Sequence, residues 1–128
     1  MSNVRLPRIA CALALCLAGC TPKACSEEER DINREVEVLI GQASPAVKEA
    51  KRRLVERGPS AITILETGLY QADPIGRIRI IGVLEELHHV EAVAVLEHMA
   101  KRDDEKLVRE QASEALGRLR NALAQPSD

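Results

Sequence analysis

From Ser26 onward the apolar residues recur at the spacing of one helix face. Ile32, Val36, Leu39 and Ile40 stand at i, i+4, i+7 and i+8. Ser26 with Glu29 three residues on has the form of a capping box, and Glu27, Glu28 and Glu29 suit the positive end of a helix dipole. Gly41 is placed to end this first helix. Ser44-Pro45 opens a second, with serine at the cap and proline at the first helical position. Its stripe is Val47, Ala50 and Leu54, with Val55 at the margin. Gly58-Pro59 closes it and opens a third helix carrying Ala61, Ile62, Leu65 and Leu69. Asp73-Pro74 repeats the start signal before a fourth, with Ile78, Ile80, Ile81, Val83, Leu84 and Leu87. That run is rich in β-branched residues and has fair strand propensity. A fifth helix covers Val90 to Lys101, with Val93, Leu96 and Ala100 on one face. Asp103 or Asp104 caps the sixth, which carries Leu107, Val108, Ala112, Ala115, Leu116, Leu119 and Leu123, and Pro126 follows it.

Short turns join all six segments, so neighbours are expected to run antiparallel. The last two pairs repeat each other. Ala61, Ile62, Ile64 and Leu65 match Ala92, Val93, Val95 and Leu96 at an offset of 31. Arg77, Ile80, Val83, Leu84 and Leu87 match Arg109, Ala112, Ala115, Leu116 and Leu119 at an offset of 32. Two helices per unit at this period predict an all-α fold, a short α-solenoid of about three antiparallel helix pairs over residues 26–125. The pair over 26–57 is a degenerate copy.

The stretch from Asp104 through Val108-Arg109, Ala112 and Ala115-Leu116-Gly117 to Leu119 resembles the second helix of a HEAT repeat. Asp73 to Leu87 resembles it less closely, with Ile80 and Val83 where alanine is usual. The resemblance covers about 59–120 well and 26–57 weakly. It implies hydrogen bonding between neighbouring repeats by Asp73, Arg77, Asp104 and Arg109, for which Asp103 is also well placed. Tetratricopeptide repeats, the main rival, carry aromatics at fixed places, and this chain has one aromatic residue.

The first 25 residues read differently. Arg5 and Arg8 precede an apolar run from Ile9 to Ala18, too short to span a hydrocarbon core of about 30 Å. Charged start, short apolar run and small residues describe an export signal. Leu17-Ala18-Gly19-Cys20 resembles the lipobox of bacterial lipoproteins. That resemblance implies a cleaved signal peptide over 1–19, a diacylglycerol and an acylated amine (palmitate) on Cys20, and a tether over 20–25. Each buried methylene contributes about 0.8 kcal/mol, so two or three chains anchor where one is marginal. Thr21 resembles an outer-membrane address. The expected location is the bacterial cell envelope, on the periplasmic face of the outer membrane. Of the four cysteines, only Cys25 would remain unmodified, so no internal disulfide can form.

Composition narrows the function. Apolar residues make up 45% of the 128, which excludes a disordered tail. The single aromatic, Tyr70, leaves little for stacking bases or lining a pigment pocket. Lys plus Arg is 18 against 20 Asp plus Glu, so no basic excess points to nucleic acid. No Gly-x-Ser-x-Gly turn, phosphate loop or dinucleotide fingerprint occurs. Ser26, Ser44 and Ser60 are explained by helix starts. Glu85-Glu86 are adjacent and expected to point apart. His88-His89 sit at a turn, a helix away from His98, without metal-ligand spacing. No metal, cofactor or catalytic group is expected. The stacked second helices would form an inner surface carrying Lys48, Lys51, Arg52, Arg79, Glu86, Glu110, Glu114 and Arg118. The expected role is a non-catalytic scaffold for a protein partner at the membrane. A structural subunit of a larger envelope assembly is the alternative, and a small-ligand carrier or enzyme ranks third.

Overall fold

The computed structural model describes residues 26–125. The expected export signal, the lipobox-like Leu17–Cys20, the expected tether and Cys25 lie outside the described residues. The chain divides into two compact units, Met1–Asp31 and Ile32–Asp128. The described part of the first is the start of α1, where Ser26 Oγ accepts from Glu29 N at 3.1 Å. The packing described below is that of the second.

Six α-helices are present among the described residues: α1 (Glu27–Ile40), α2 (Pro45–Arg57), α3 (Ile62–Leu69), α4 (Pro74–Leu87), α5 (Val90–Arg102) and α6 (Lys106–Ala124). No strand occurs there. A 3₁₀ turn, Gly58–Ala61, precedes α3. The turn chemistry explains most boundaries. Gly58 takes φ 72°, which a side chain would resist, and Pro59 follows inside the 3₁₀ turn. Asp73 Oδ1 accepts from Gly76 N at 2.7 Å, an N-cap ahead of Pro74. His88 ends α4 in the left-handed region (φ 50°, ψ 47°), and His89 Nδ1 accepts from Glu91 N at 3.2 Å to start α5. The two histidines thus make the turn they were expected to occupy.

Three expected caps differ in detail. Ser44 holds the cap position with extended backbone, but its hydroxyl makes no capping bond. Ser60 lies within the 3₁₀ turn and donates backward to Arg57 O at 3.1 Å. The residue before α6 is Glu105, and Asp103, two residues earlier, accepts from Glu105 N at 2.9 Å in the turn that leads into the helix. Asp104 caps nothing.

The helices form two layers. α2, α4 and α6 are successive neighbours, α3 lies beside α5, and α3 packs on α4 and α5 on α6. This is the all-α solenoid of stacked helix pairs. The core runs between the layers through Leu39, Leu54, Leu65, Ile80, Leu84, Leu96 and Leu119, all fully buried. α4 is helical despite its β-branched run because it is the central element. It touches α2, α3, α5 and α6. A helix buried on several sides loses its polar face and its apolar periodicity with it.

The repeats fill their cores differently. A Cβ on Gly68 would stand 2.8 Å from Val36 Cγ1 and 3.7 Å from Ile80 Cδ1. The missing side chain lets α1 and α3 approach and leaves room for isoleucine on α4. The counterparts in the next repeat are Met99 and Ala112, both buried. There the large residue stands on the odd helix and the small one on the even helix.

Candidate functional site

The even-helix face was the expected contact surface. On α2, Lys48, Lys51, Arg52 and Val55 line one shallow groove with Glu86 of α4. Helical spacing brings them together, since residues three and four apart share a face. Their charges are largely spent within the fold. Lys51 Nζ lies 2.9 Å from Glu86 Oε2. Arg52 bonds both Glu49 and Glu56. Arg53 reaches Glu49 and, across to α1, Glu35 at 3.2 Å. The Arg52 guanidinium hydrogen-bonded to Glu49 holds that carboxyl below its ordinary range, and Arg53 adds to the effect. Glu49 and Glu56 in return raise Arg52 further above its ordinary range. The basic run on α2 is therefore a set of ion pairs, with Lys48 left over.

Glu85 and Glu86 point apart, as adjacent helical residues must, and each ties α4 to a different neighbour. Glu86 meets Lys51 of α2. Glu85 takes a two-pronged bond from Arg118 of α6, with Nε at 2.8 Å and Nη2 at 3.1 Å. Glu110 lies 3.8 Å from Lys106 on its own helix. Glu114 is exposed near Arg118, whose guanidinium is raised chiefly by its bond to Glu85 and least by Glu114.

Arg79 is engaged inside the fold. Its Nη1 donates to Leu39 O at 2.9 Å and Gly41 O at 2.8 Å. These are carbonyls at the α1 C-terminus, which the helix itself cannot satisfy. Gly76 permits the approach, because a Cβ there would meet Ile40 Cβ at 3.1 Å. Sequence spacing put Arg79 on the second helix but could not show which way the end of α1 would lie.

The two repeat arginines behave alike and then diverge. Arg77 Nη1 donates to Ala72 O at 2.9 Å, and Arg109 Nη1 donates to Asp103 O at 2.6 Å. Each thus secures the turn before its own helix. Arg77 goes further, into the turn of the next repeat. Its Nη2 donates to Asp103 Oδ1 and to Asp104 Oδ1, both at 3.1 Å. Its Nε is 2.9 Å from Asp103 Oδ2, and the buried N–H is misdirected, so this contact is an ion pair without a hydrogen bond. The residue that joins the repeats is chiefly Asp103, with its side chain 8% exposed, while Asp104 is 89% exposed. Asp73 makes the local cap to Gly76 and does not bridge repeats.

Stacked helix pairs with an arginine at the same place in successive even helices give the arrangement a recognisable form. A match to HEAT repeats covers residues 59–127, more than half of the chain. The chain belongs to the HEAT-repeat family. HEAT repeats generally mediate protein–protein interaction, and proteins built from them are usually non-catalytic. Comparison with curated proteins and with solved structures gave no match.

The odd-helix side of this HEAT-repeat chain holds a feature that the sequence reading missed. A cavity of 220 Å³ opens between α3 and α5, walled by Leu69, Tyr70, Val95, Met99 and Arg102, with Arg77 and Asp103 at its end. The only signal in the sequence was Tyr70, the single aromatic, at the close of α3. Among the described residues, no group of three or more His, Cys, Asp or Glu is placed to hold a metal, and no helix is long and apolar enough to cross a membrane.

Proposed function

We propose that this chain is a non-catalytic protein-binding scaffold held at a bacterial membrane by lipid on Cys20. The observation that carries the binding role is the HEAT match laid over stacked helix pairs, a construction that presents a broad surface built on rigid elements. The anchor rests on Leu17-Ala18-Gly19-Cys20 directly after a short apolar run, and Thr21 favours the periplasmic face of the outer membrane. The tether from Thr21 to Cys25 is five residues, at most about 17 Å extended, so the folded part would stay close to the lipid surface. The mechanism is positioning: a partner is held near the leaflet. Within the even-helix face the groups left for that partner are Lys48 and Glu114, with Lys51, Arg52, Glu86, Glu110 and Arg118 able to exchange an internal ion pair for an external one.

Two measurements test this. Palmitate labelling and membrane fractionation should lose the protein from the lipid-bound pool in Cys20→Ser, and unchanged retention overturns the anchor. Photocrosslinkers at Lys48 and Glu114 in the full chain should capture one defined protein in cells. Absence of any adduct from either position overturns binding through this face.

A further inference from the structure

We propose that the cleft between α3 and α5 is a docking site for a peptide segment of a protein partner, which inserts one apolar side chain and sets a carboxylate on Arg102. This rests on the protein-binding reading but places the peptide on the odd-helix side, away from the even-helix face. Four observations carry it.

The cavity is 220 Å³, below the roughly 300 Å³ at which small-molecule sites begin, and of a size for one large side chain. Its floor is apolar, made by Leu69 of α3 with Val95 and Met99 of α5. Tyr70 stands at its mouth 86% exposed, an aromatic ring kept in water by a chain that has no other. Tyrosine, methionine and arginine are the residues that interfaces concentrate, and tyrosine and arginine carry much of their binding energy.

Charge identifies the occupant. Arg102 is the one arginine among the described residues whose side chain has no hydrogen bond or ion pair. Arg52, Arg53, Arg77, Arg79, Arg109 and Arg118 have the partners given above, Arg120 bonds Glu97, and Arg30, Arg34 and Arg57 are engaged as well. An unpaired arginine fork on the wall of a partly apolar cavity fits a carboxylate. The cleft continues past Glu66 to Thr63 and Glu91, where both acids lack a side-chain partner. Asp103 and Asp104 line the cleft as well, but both are held by Arg77, which leaves Arg102 as its unmatched cation. A peptide would lie with its carboxylate at Arg102 and any cation toward Glu66 and Glu91.

The experiment pans a random peptide library on the full-length chain and measures the selected peptides, made with a fluorescent label, by anisotropy. The expected peptides carry an apolar residue close to Asp or Glu. Their affinity should fall tenfold or more in Tyr70→Ala and in Arg102→Glu. Replacing the peptide acid by Lys should restore binding to Arg102→Glu, a rescue that mere unfolding could not give. Binding should be unmoved by Lys48→Glu with Glu114→Lys. Selected peptides insensitive to Tyr70→Ala and Arg102→Glu, but lost with the Lys48 and Glu114 changes, overturn the cleft and leave the even-helix reading standing. Failure to select any peptide overturns the cleft as a peptide site. A dimer of the chain abolished by Tyr70→Ala would make the occupant a second copy, and overturns the assignment too.

Discussion

Arg77 and Arg109 occupy the same place in successive repeats, yet their removal should cost different amounts. Arg77 is 16% exposed and faces Asp103 at 8%. Arg77→Ala removes the bond to Ala72 O and both contacts to Asp103, and leaves that carboxylate nearly buried with only the Glu105 N–H. Truncating one member of a buried pair costs about 3–5 kcal/mol. The lower end applies here, because Asp103 keeps one donor and the site is not fully closed. Arg109→Ala loses one charged hydrogen bond to Asp103 O, worth about 1.5 kcal/mol, and orphans no charge. For a domain of this size each kcal/mol moves Tm by roughly 4–8 °C. Thermal melts by far-ultraviolet dichroism should therefore drop by about 12–24 °C for Arg77→Ala and about 6–12 °C for Arg109→Ala. A cycle with Asp103→Asn should show coupling to Arg77 above about 0.5 kcal/mol. If Arg109→Ala costs as much as Arg77→Ala, the link between repeats contributes nothing beyond securing each turn, and the reasoning fails.

Three further outcomes follow from single contacts. Gly68→Ala must push its Cβ against Val36 Cγ1, which a β-branched side chain cannot easily yield, and overpacking of this kind should lower stability by about 1–3 kcal/mol in urea melts. Gly117 has open space where its Cβ would go, so Gly117→Ala should raise stability by about 1 kcal/mol through helix propensity, and a loss there would contradict the open geometry. Glu49 is held below its ordinary value of 4.5 by Arg52, so the folded state gains from its charge above that pH and loses the gain as pH falls through the lowered value. Urea melts at neutral pH and below pH 4.5 should differ less in Glu49→Gln than in the unchanged chain, and an equal difference would show that Glu49 titrates alike in both states.

The number, type and order of the helices were legible in the sequence because punctuation and periodicity agree. Asp73-Pro74 and Gly58-Pro59 stop or start helices by backbone chemistry that no distant contact can reverse. The repeat was legible because the same positions are buried in both copies, Leu65 with Leu96 and Leu84 with Leu116. What could not be read were long-range polar choices. Arg79 and Arg118 look alike on paper, yet one serves the carbonyls of α1 and the other a carboxylate on α4. Asp103 and Asp104 differ only in which side of the turn they fall on, and packing alone decides that one is buried. The cleft between α3 and α5 was hidden for the same reason, since its walls come from helices of two repeats.

The ion pairs of the even helices bear on how such a face can bind at all. Exposed pairs contribute roughly 0–1 kcal/mol each, so Lys51 with Glu86 and Arg118 with Glu85 do little to hold the layer against unfolding. In the proposed binding role their larger effect would be on selectivity. A face whose cations are already matched gives little attraction to a diffuse negative surface. A protein partner can still engage it by offering a carboxylate to Lys51 and a cation to Glu86 at the same time. The exchange is nearly neutral for the right pattern and costly for a partner that breaks a pair without replacing both halves. Arg102 is different in kind, because it has no pair to give up. A partner's carboxylate could meet it without breaking a pair, so in the proposed reading the odd-helix side would recruit where the even-helix side discriminates.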